Sequence, residues 1–400
     1  MEAFPVEYEG QEFICLRDPA HFAERPVFVN PSVVPILGLF DGRHSQAEIQ
    51  IAYTRQYGVI LSVEQLDDLI LHLDNSLLLD SDRYDVTRKR IEDEFHNAAV
   101  RPAAHAGAAY AGEAEELRRQ LDGFYTEPGG PGVLPQPGEE GRIKGVIAPH
   151  IYFHRGGACY AWAYRELAAS LDAELFIIFG IGHAGPRHLF SMISKDFATP
   201  FGTIRTDREF ISRVREACPF DVFADEFLHK TEHSVEFQVV FLQHLMKEHP
   251  EAMIVPILCG SFHELVANGT SPAGHPDFLG FVQALKQAID AGGKRVCLIA
   301  GVDLAHIGQH FGDEERLSDD WLRSVQEADL NMLRHVENLD TESFFRHICD
   351  DQDQRRICGY PAMYTLMTLA EAQEGKLLKY DQAADETTQQ VVTFASMVLR

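Results

Sequence analysis

One feature constrains this fold more than any other. A short apolar run, rich in β-branched residues, stops at glycine or proline and delivers a histidine, and it does so repeatedly. Gly145-Val146-Ile147-Ala148-Pro149-His150 is the first case, and Leu175-Phe176-Ile177-Ile178-Phe179-Gly180-Ile181-Gly182-His183 is the second. A third run, Val296-Cys297-Leu298-Ile299-Ala300-Gly301, exits through Asp303 to His306. Runs of this length and composition read as buried strands. Further strands are expected over 190–194, 253–258 and 392–398. Helices are expected between them, over 157–169, 207–217, 233–248, 276–290, 318–336 and 360–372. Strands alternating with helices predict an α/β domain, a mainly parallel sheet covered on both faces. In such a sheet, ligands bind in the crevice beyond the carboxyl ends of the strands.

The strand-end histidines face that crevice. His150 and His183 together could share one metal ion, since neutral imidazole is a common metal ligand. A single histidine there more often just bonds a backbone group; the repetition is what favours a shared role. Asp303 and His306 could act as acid/base and orienter, or as a helix cap and a packed ring. Glu232 and His233, in Thr231-Glu232-His233-Ser234-Val235-Glu236, stand just ahead of an apolar helix. There they read either as capping residues or as a ligand's partner and a proton carrier. Cys358 sits in Arg355-Arg356-Ile357-Cys358-Gly359-Tyr360-Pro361, which leads into a helix. A thiol at a helix N-terminus beside arginines is expected to have a lowered pKa. Tyr152-Phe153-His154-Arg155-Gly156-Gly157 reads as a loop whose glycines let backbone approach a ligand. Neither Gly156-Gly157 nor Gly180-Ile181-Gly182 fits a phosphate-binding pattern. His105, His188, His229 and His263 lack such context and are expected on the surface or in loops. Three chemistries stay open: a His2Cys metal site, a metal-free Cys–His hydrolase dyad, and a relic cavity that only binds a partner.

Composition narrows the class. Four hundred residues exceed one ordinary core, so at least two domains are expected. The formal charge is −26, from 35 basic and 61 acidic residues. That speaks against nucleic acid and anionic membranes as partners. No apolar run approaches the ~20 residues of a membrane span. The N-terminal stretch Met1 to Glu7 lacks a secretion signal's basic and apolar regions, and the seven scattered cysteines form no CxxC; both suit a cytoplasmic protein.

Residues 1–95 read as a separate winged-helix-like α+β module, with residues 96–400 as the main domain. In the module, Ala47 to Tyr57 and Glu64 to Asn75 have helical spacing, with Ser45 and Ser62 as caps and Gly58 as a stop. Leu77-Leu78-Leu79-Asp80 reads as a short strand. A charged connector helix follows over 84–100, then a helix over Glu113 to Leu121 and a Pro/Gly-rich loop from Tyr125 to Gly141.

The pattern "FDGRHSQAEI…YGVILSVEQLDDLILHLDNSLLL" is similar to the PqqD-type peptide-recognition domains, which implies a peptide as partner of this module. Over residues 101–400, "RPAAHAGAAYAGEAEELRRQLDGFY", "GVIAPHIYFHRGGACYAWAY", "FGIGHAGPRHLF", "TEHSVEFQVVFLQHL", "GVDLAHIG" and "RICGYPAMYTLM" occur in the order seen in the Memo family. That family resembles the class III extradiol dioxygenases, so the resemblance implies an α/β domain around a mixed sheet. It also implies His150, His183 and Cys358 as metal ligands, with His306 and Asp303 beside them and Glu232 and His233 lining the cavity. Dioxygenases of that class hold Fe(II) with two histidines and a carboxylate. A thiolate softens the site, so Fe(II) or copper is expected, and zinc is feasible. Bacterial relatives called AmmeMemoRadiSam system protein B imply a radical SAM protein and an AMMECR1-like protein as partners. Two departures bear on the pocket. The usual Ser-His-His is Gly182-His183-Ala184 here, and the usual Ala-Gly-Tyr is Ile151-Tyr152-Phe153. The approach to the metal is therefore expected to be bulkier, with His154 as a compensating candidate.

Overall fold

The computed structural model describes residues 1–8, 10–19, 22–23, 25–135, 143–168, 172–246 and 251–400. These form two compact units, Met1–Asn97 and Ala98–Arg400.

The first unit begins with strands β1 (Glu2–Tyr8), β2 (Gln11–Arg17) and β3 (Val27–Val29), paired antiparallel in that order. Helices α1 (Val34–Leu37), α2 (Gln46–Tyr57), α3 (Val63–Asn75) and α4 (Asp82–Asn97) follow. Ser45 with Glu48, and Ser62 with Gln65, close reciprocal capping boxes on α2 and α3. Each such cap contributes about 1 kcal/mol. Gly58 ends α2 at φ 68°, a left-handed conformation that suits glycine. Leu16, Val27 and Val29 from the sheet meet Leu73 and Leu78 in the core. The strand expected over 77–80 is absent. Leu77 has φ 59°, and the Leu78 N–H returns to the Leu73 carbonyl at 2.9 Å. Leu78 thus reaches the core from a turn. The unit is α+β, but its sheet precedes its helices.

The second unit opens with β4 (Val100–Arg101) and α5 (Ala114–Thr126). The loop expected after it lies partly outside the described residues, over 136–142. A regular alternation follows: β5 (Gly145–Ala148), α6 (Phe153–Leu167), β6 (Leu175–Ile181), β7 (Phe190–Met192), β8 (Asp196–Thr199), β9 (Gly202–Ile204), α7 (Arg208–Ala217), α8 (His233–Leu245), β10 (Met253–Cys259), α9 (His263–Asn268), α10 (Pro276–Gly292), β11 (Val296–Gly301). The ends expected for the helices over 157–169 and 233–248 run into undescribed residues. Then come β12 (His306–Ile307), α11 (Asp319–Glu337), α12 (Thr341–Asp350), α13 (Tyr360–Leu369), β13 (Gly375–Asp385) and β14 (Gln390–Leu399).

The main sheet has eight strands in the order β12-β14-β5-β11-β6-β10-β7, with β13 on the outer side of β14. β5, β11, β6 and β10 run parallel in the centre, whereas β7 and β14 pair antiparallel at either side. The sheet is therefore mixed, as the family resemblance implies. Every residue of β5 and β6 is buried, as expected for parallel strands covered on both faces. β5, β11 and β6 are adjacent, so their carboxyl ends open side by side. Among the described residues no helix is long and apolar enough to cross a membrane.

Gly156 and Gly157 do not form a ligand loop. They lie inside α6, where an added Cβ would meet Ile151 or the Phe124 ring. Their smallness serves helix packing.

Candidate metal centre

His150 follows β5, His183 follows β6, and Cys358 precedes α13. The structure brings all three together: one ligand atom from each lies within 4.8 Å of the others. His150 Nε2 is 3.4 Å from Cys358 Sγ. The ring centroids of His150 and His183 are 5.0 Å apart.

Each imidazole is oriented by its other nitrogen. His150 Nδ1 lies 3.0 Å from the Gly301 carbonyl. A carbonyl only accepts, so Nδ1 carries the proton and Nε2 offers its lone pair to the centre. Gly301 ends β11 where α8 crosses closely; a Cβ there would strike Gln238 and the Ser234 carbonyl. His183 Nδ1 donates to Glu232, at 3.1 and 3.0 Å from the two carboxylate oxygens. Its Nε2 is thereby left with its lone pair free to serve as a donor.

Glu232 is the hub of this side. Its carboxylate also receives the His183 N–H at 3.2 Å and the Ser234 N–H at 2.9 Å, so it caps α8 as well. His233 Nδ1 lies 3.2 Å from the same carboxylate. Burial pushes the Glu232 carboxyl up, but hydrogen bonds and charges from His183 and His233 outweigh it, and its pKa ends well below the usual range. For His183, burial pulls the pKa down while Glu232 pulls it up, and the balance is raised. Burial holds His150 and His233 at about 3, so both stay neutral. Neutral imidazole is the form that binds a metal.

Asp303 turns toward His150. Its Oδ1 accepts the N–H groups of His150 and Ile151 at 3.0 and 3.1 Å, and its Oδ2 stands 3.6 Å from His150 Nε2. Burial lifts its pKa to about 6. His306 Nδ1 donates toward the carbonyls of Leu304 and Arg356, at 3.1 and 3.2 Å, and burial lowers its pKa. The two side chains thus flank the exit of β11 with separate partners.

The thiol behaves otherwise than its neighbours in sequence suggest. Arg355 is bound by Asp329 and Asp351, and Arg356 by Asp313. Neither guanidinium is left to attract a thiolate. Burial, with Asp303 nearby, pushes the Cys358 thiol well above its ordinary value. A cation bound between the imidazoles would reverse this, because a coordinating thiol is deprotonated outright.

The donor set fits a metal. Two neutral imidazoles and one thiol converge, and both Nδ1 atoms are committed to acceptors outside the centre. His150 is buried, Cys358 is half-buried, and the His183 side chain keeps 39% of its surface. The open side is therefore at His183. A second group, His183 with Glu232 and His233, also lies within 4.8 Å. Its carboxylate is already shared by both imidazoles, which suits an orienting role.

The aromatic residues after His150 part ways. Phe153 is buried against Phe237 and Tyr110 and does not enter the site. Tyr152 is 45% exposed and stacks on His233 on one side and on the exposed His154 on the other. Of the histidines expected on the surface or in loops, one is corrected. His229 is buried, with Nε2 at 3.4 Å from Ser191 Oγ. His105 packs edge-on to His233 at 5.8 Å and bonds the Thr231 carbonyl at 2.9 Å. Arg101 was not singled out in the sequence. It is fully buried and donates to the carbonyls of His229 and Glu232 at 2.7 and 2.8 Å and to the Glu236 carboxylate, so it holds the segment that carries Glu232. A lone arginine beside a proline gives no sequence signal of that.

Residues 101–398 match the family model described as Memo-like protein. The chain is similar to a MEMO1 family protein of Aquifex aeolicus, 24% identical over 399 residues, which covers 99% of this chain and 98% of that one. It is 31% identical over 315 residues to a MEMO1 family protein of Thermococcus kodakarensis, covering 75% of this chain and 99% of the relative. A MEMO1 family protein of Methanobrevibacter smithii is 29% identical over 311 residues, covering 75% of this chain and all of that one.

Proposed function

The chain belongs to the Memo-like protein family, and from that premise we propose that His150, His183 and Cys358 hold one transition metal for oxygen chemistry on a small aromatic group or a peptide side chain. One observation carries the reading: three donor atoms converge within 4.8 Å while the remaining imidazole nitrogens are tied to acceptors outside. Iron(II) or copper suits this mixed set, with zinc as the third choice. Bound there, the metal would supply Lewis acidity and redox capacity. The chain's own residues do the rest. Glu232 fixes His183 so that it presents Nε2. His306, with Nδ1 spent on two carbonyls, keeps Nε2 to take a proton. Asp303, with its pKa near 6, can hold or release one beside His150.

A second reading draws on the first unit. β3 is one of the two edge strands of its sheet, and an edge strand can accept an extended peptide as an added strand. The protein would then present a peptide to a radical SAM enzyme, with an AMMECR1-like protein as a further partner, and the metal site would serve binding alone.

Elemental analysis of anaerobically purified protein tests the metal reading. Near one equivalent of iron or copper in the wild type, lost in Cys358→Ser, is the expected result. Absence of metal from both, even after reconstitution with Fe(II), Cu(I) and Zn, would sink the metal reading.

A further inference from the structure

We propose that Asp329, in the middle of α11, is the positioning residue that sets the two loops delivering Cys358 and the Asp303–His306 segment. This rests on the metal-site reading and adds a part that touches none of the donor atoms.

Asp329 is fully buried. A carboxylate there needs donors on its lone pairs. Arg355 Nη1 binds Oδ1, while Tyr380 Oη and Thr393 Oγ1 donate to Oδ2 at 2.9 and 2.6 Å. Thr393 then grips the exit of β11: its hydroxyl accepts the Ala305 N–H at 2.9 Å and its carbonyl the Leu304 N–H at 2.7 Å. The Arg355 carbonyl accepts the His306 N–H at 2.7 Å. Three successive N–H groups, of residues 304, 305 and 306, are therefore held by two residues that Asp329 holds.

The other loop is the turn into Cys358. Gln352, Asp353 and Arg356 have φ values of 54°, 53° and 51°. Non-glycine residues rarely occupy that region, and such strain persists only where the surroundings over-determine it. Arg355 sits inside this turn, bound to Asp329 and, at 3.0 Å, to Asp351. The loops are also joined to each other. The Gly359 N–H donates to the Asp303 carbonyl at 3.1 Å, and Cys358 Sγ lies 3.7 Å from the same oxygen. A Cβ at Gly359 would land on that carbonyl, so the approach requires glycine. A buried ion pair seldom adds net stability over apolar packing, though breaking one is costly. What the Asp329–Arg355 pair supplies is a fixed relation between thiol and strand exit.

The test uses the full chain, first without metal. Labelling of Cys358 by iodoacetamide, located by peptide mass spectrometry, is compared in wild type, Asp329→Asn, Thr393→Val and Lys294→Met. The last breaks the Lys294–Asp207 pair, where Lys294 lies ahead of β11 at the amino end of the strands. Loosening the brace is expected to raise the labelling rate by about tenfold or more in Asp329→Asn, and to raise it in Thr393→Val, through local opening. Thr393→Val carries the test should Asp329→Asn fail to fold. An unchanged rate in either folded variant, or an equal rise in Lys294→Met at a matched loss of Tm, overturns the proposal. Co(II) titration follows. A thiolate charge-transfer band in wild type, absent in Cys358→Ser, tests the parent reading, and Asp329→Asn should then weaken Co(II) binding about 10–100-fold. If wild type takes up no Co(II), the metal reading falls, and the labelling still decides the role of Asp329.

Discussion

At the scale of single residues, Glu232 has the most to do. One carboxylate receives the His183 imidazole N–H and two backbone N–H groups, with the His233 ring 3.2 Å away. Glu232→Gln keeps the shape but brings an NH2 group that can only donate. His183 Nδ1 then competes with two backbone N–H groups for a single acceptor oxygen. Metal affinity is expected to fall about 10–100-fold, with the circular dichroism spectrum unchanged; chelator competition measures the first. Unaltered affinity would mean that His183 is not held through Glu232. His150 and His183 were legible in sequence because an apolar run ending in glycine or proline has few ways to place the next polar side chain. The state of Cys358 was not. Arginines adjacent in sequence point into their own ion pairs, with Asp329, Asp351 and Asp313. Sequence proximity says nothing of where a long side chain spends its charge.

At the scale of elements, α8 is pinned to β4 by a buried pair. Arg101 from β4 meets Glu236 from α8, and neither side chain has any exposed surface. Tyr110 also donates to Glu236. Burial raises the Glu236 carboxyl, but Arg101, Tyr110 and His105 overcome this and the pKa is lowered from 4.5. A lowered carboxyl stabilises the fold fully above its unfolded value, and the contribution is lost as pH falls through the folded value. Glu236→Gln leaves Arg101 uncompensated and should cost about 3–5 kcal/mol at pH 7. The gap between wild type and variant should narrow as pH drops below about 4.5. Urea unfolding at pH 7 and pH 4 checks this; a gap independent of pH would refute the ionised pair. The central strands were readable because parallel strands buried on both faces are continuous apolar runs. β13 was not, since Gly-Lys-Leu-Leu-Lys-Tyr-Asp-Gln-Ala-Ala-Asp is half-buried, polar and bulged at Leu377/Lys379. The turn at Leu77 was misread for a related reason. A leucine run signals burial, and burial alone does not choose between strand and turn.

At the scale of the whole molecule, the second unit has its own core and its own site. Two relatives, matched over essentially their full length, cover 75% of this chain. Residues 98–400 alone should therefore unfold in one cooperative transition and bind metal with the affinity of the full chain. Differential scanning calorimetry and metal titration test this, and a non-cooperative melt would show that the unit depends on residues 1–97. The two-unit division was suggested by length and by the charged stretch over 84–100, yet its sheet-first N-terminal order was not. Strands β1 to β3 hold exposed, mixed residues whose pairing no local pattern announces. The wide spacing of the donors has a further consequence for biosynthesis. His150 and Cys358 meet across 208 residues of chain. At roughly 5–20 residues per second, the ribosome adds the thiol on the order of 10–40 seconds after the first imidazole. Until then the two imidazoles lack the thiol that completes this particular set. On the metal-site reading, the full donor set therefore exists only after synthesis has passed Cys358.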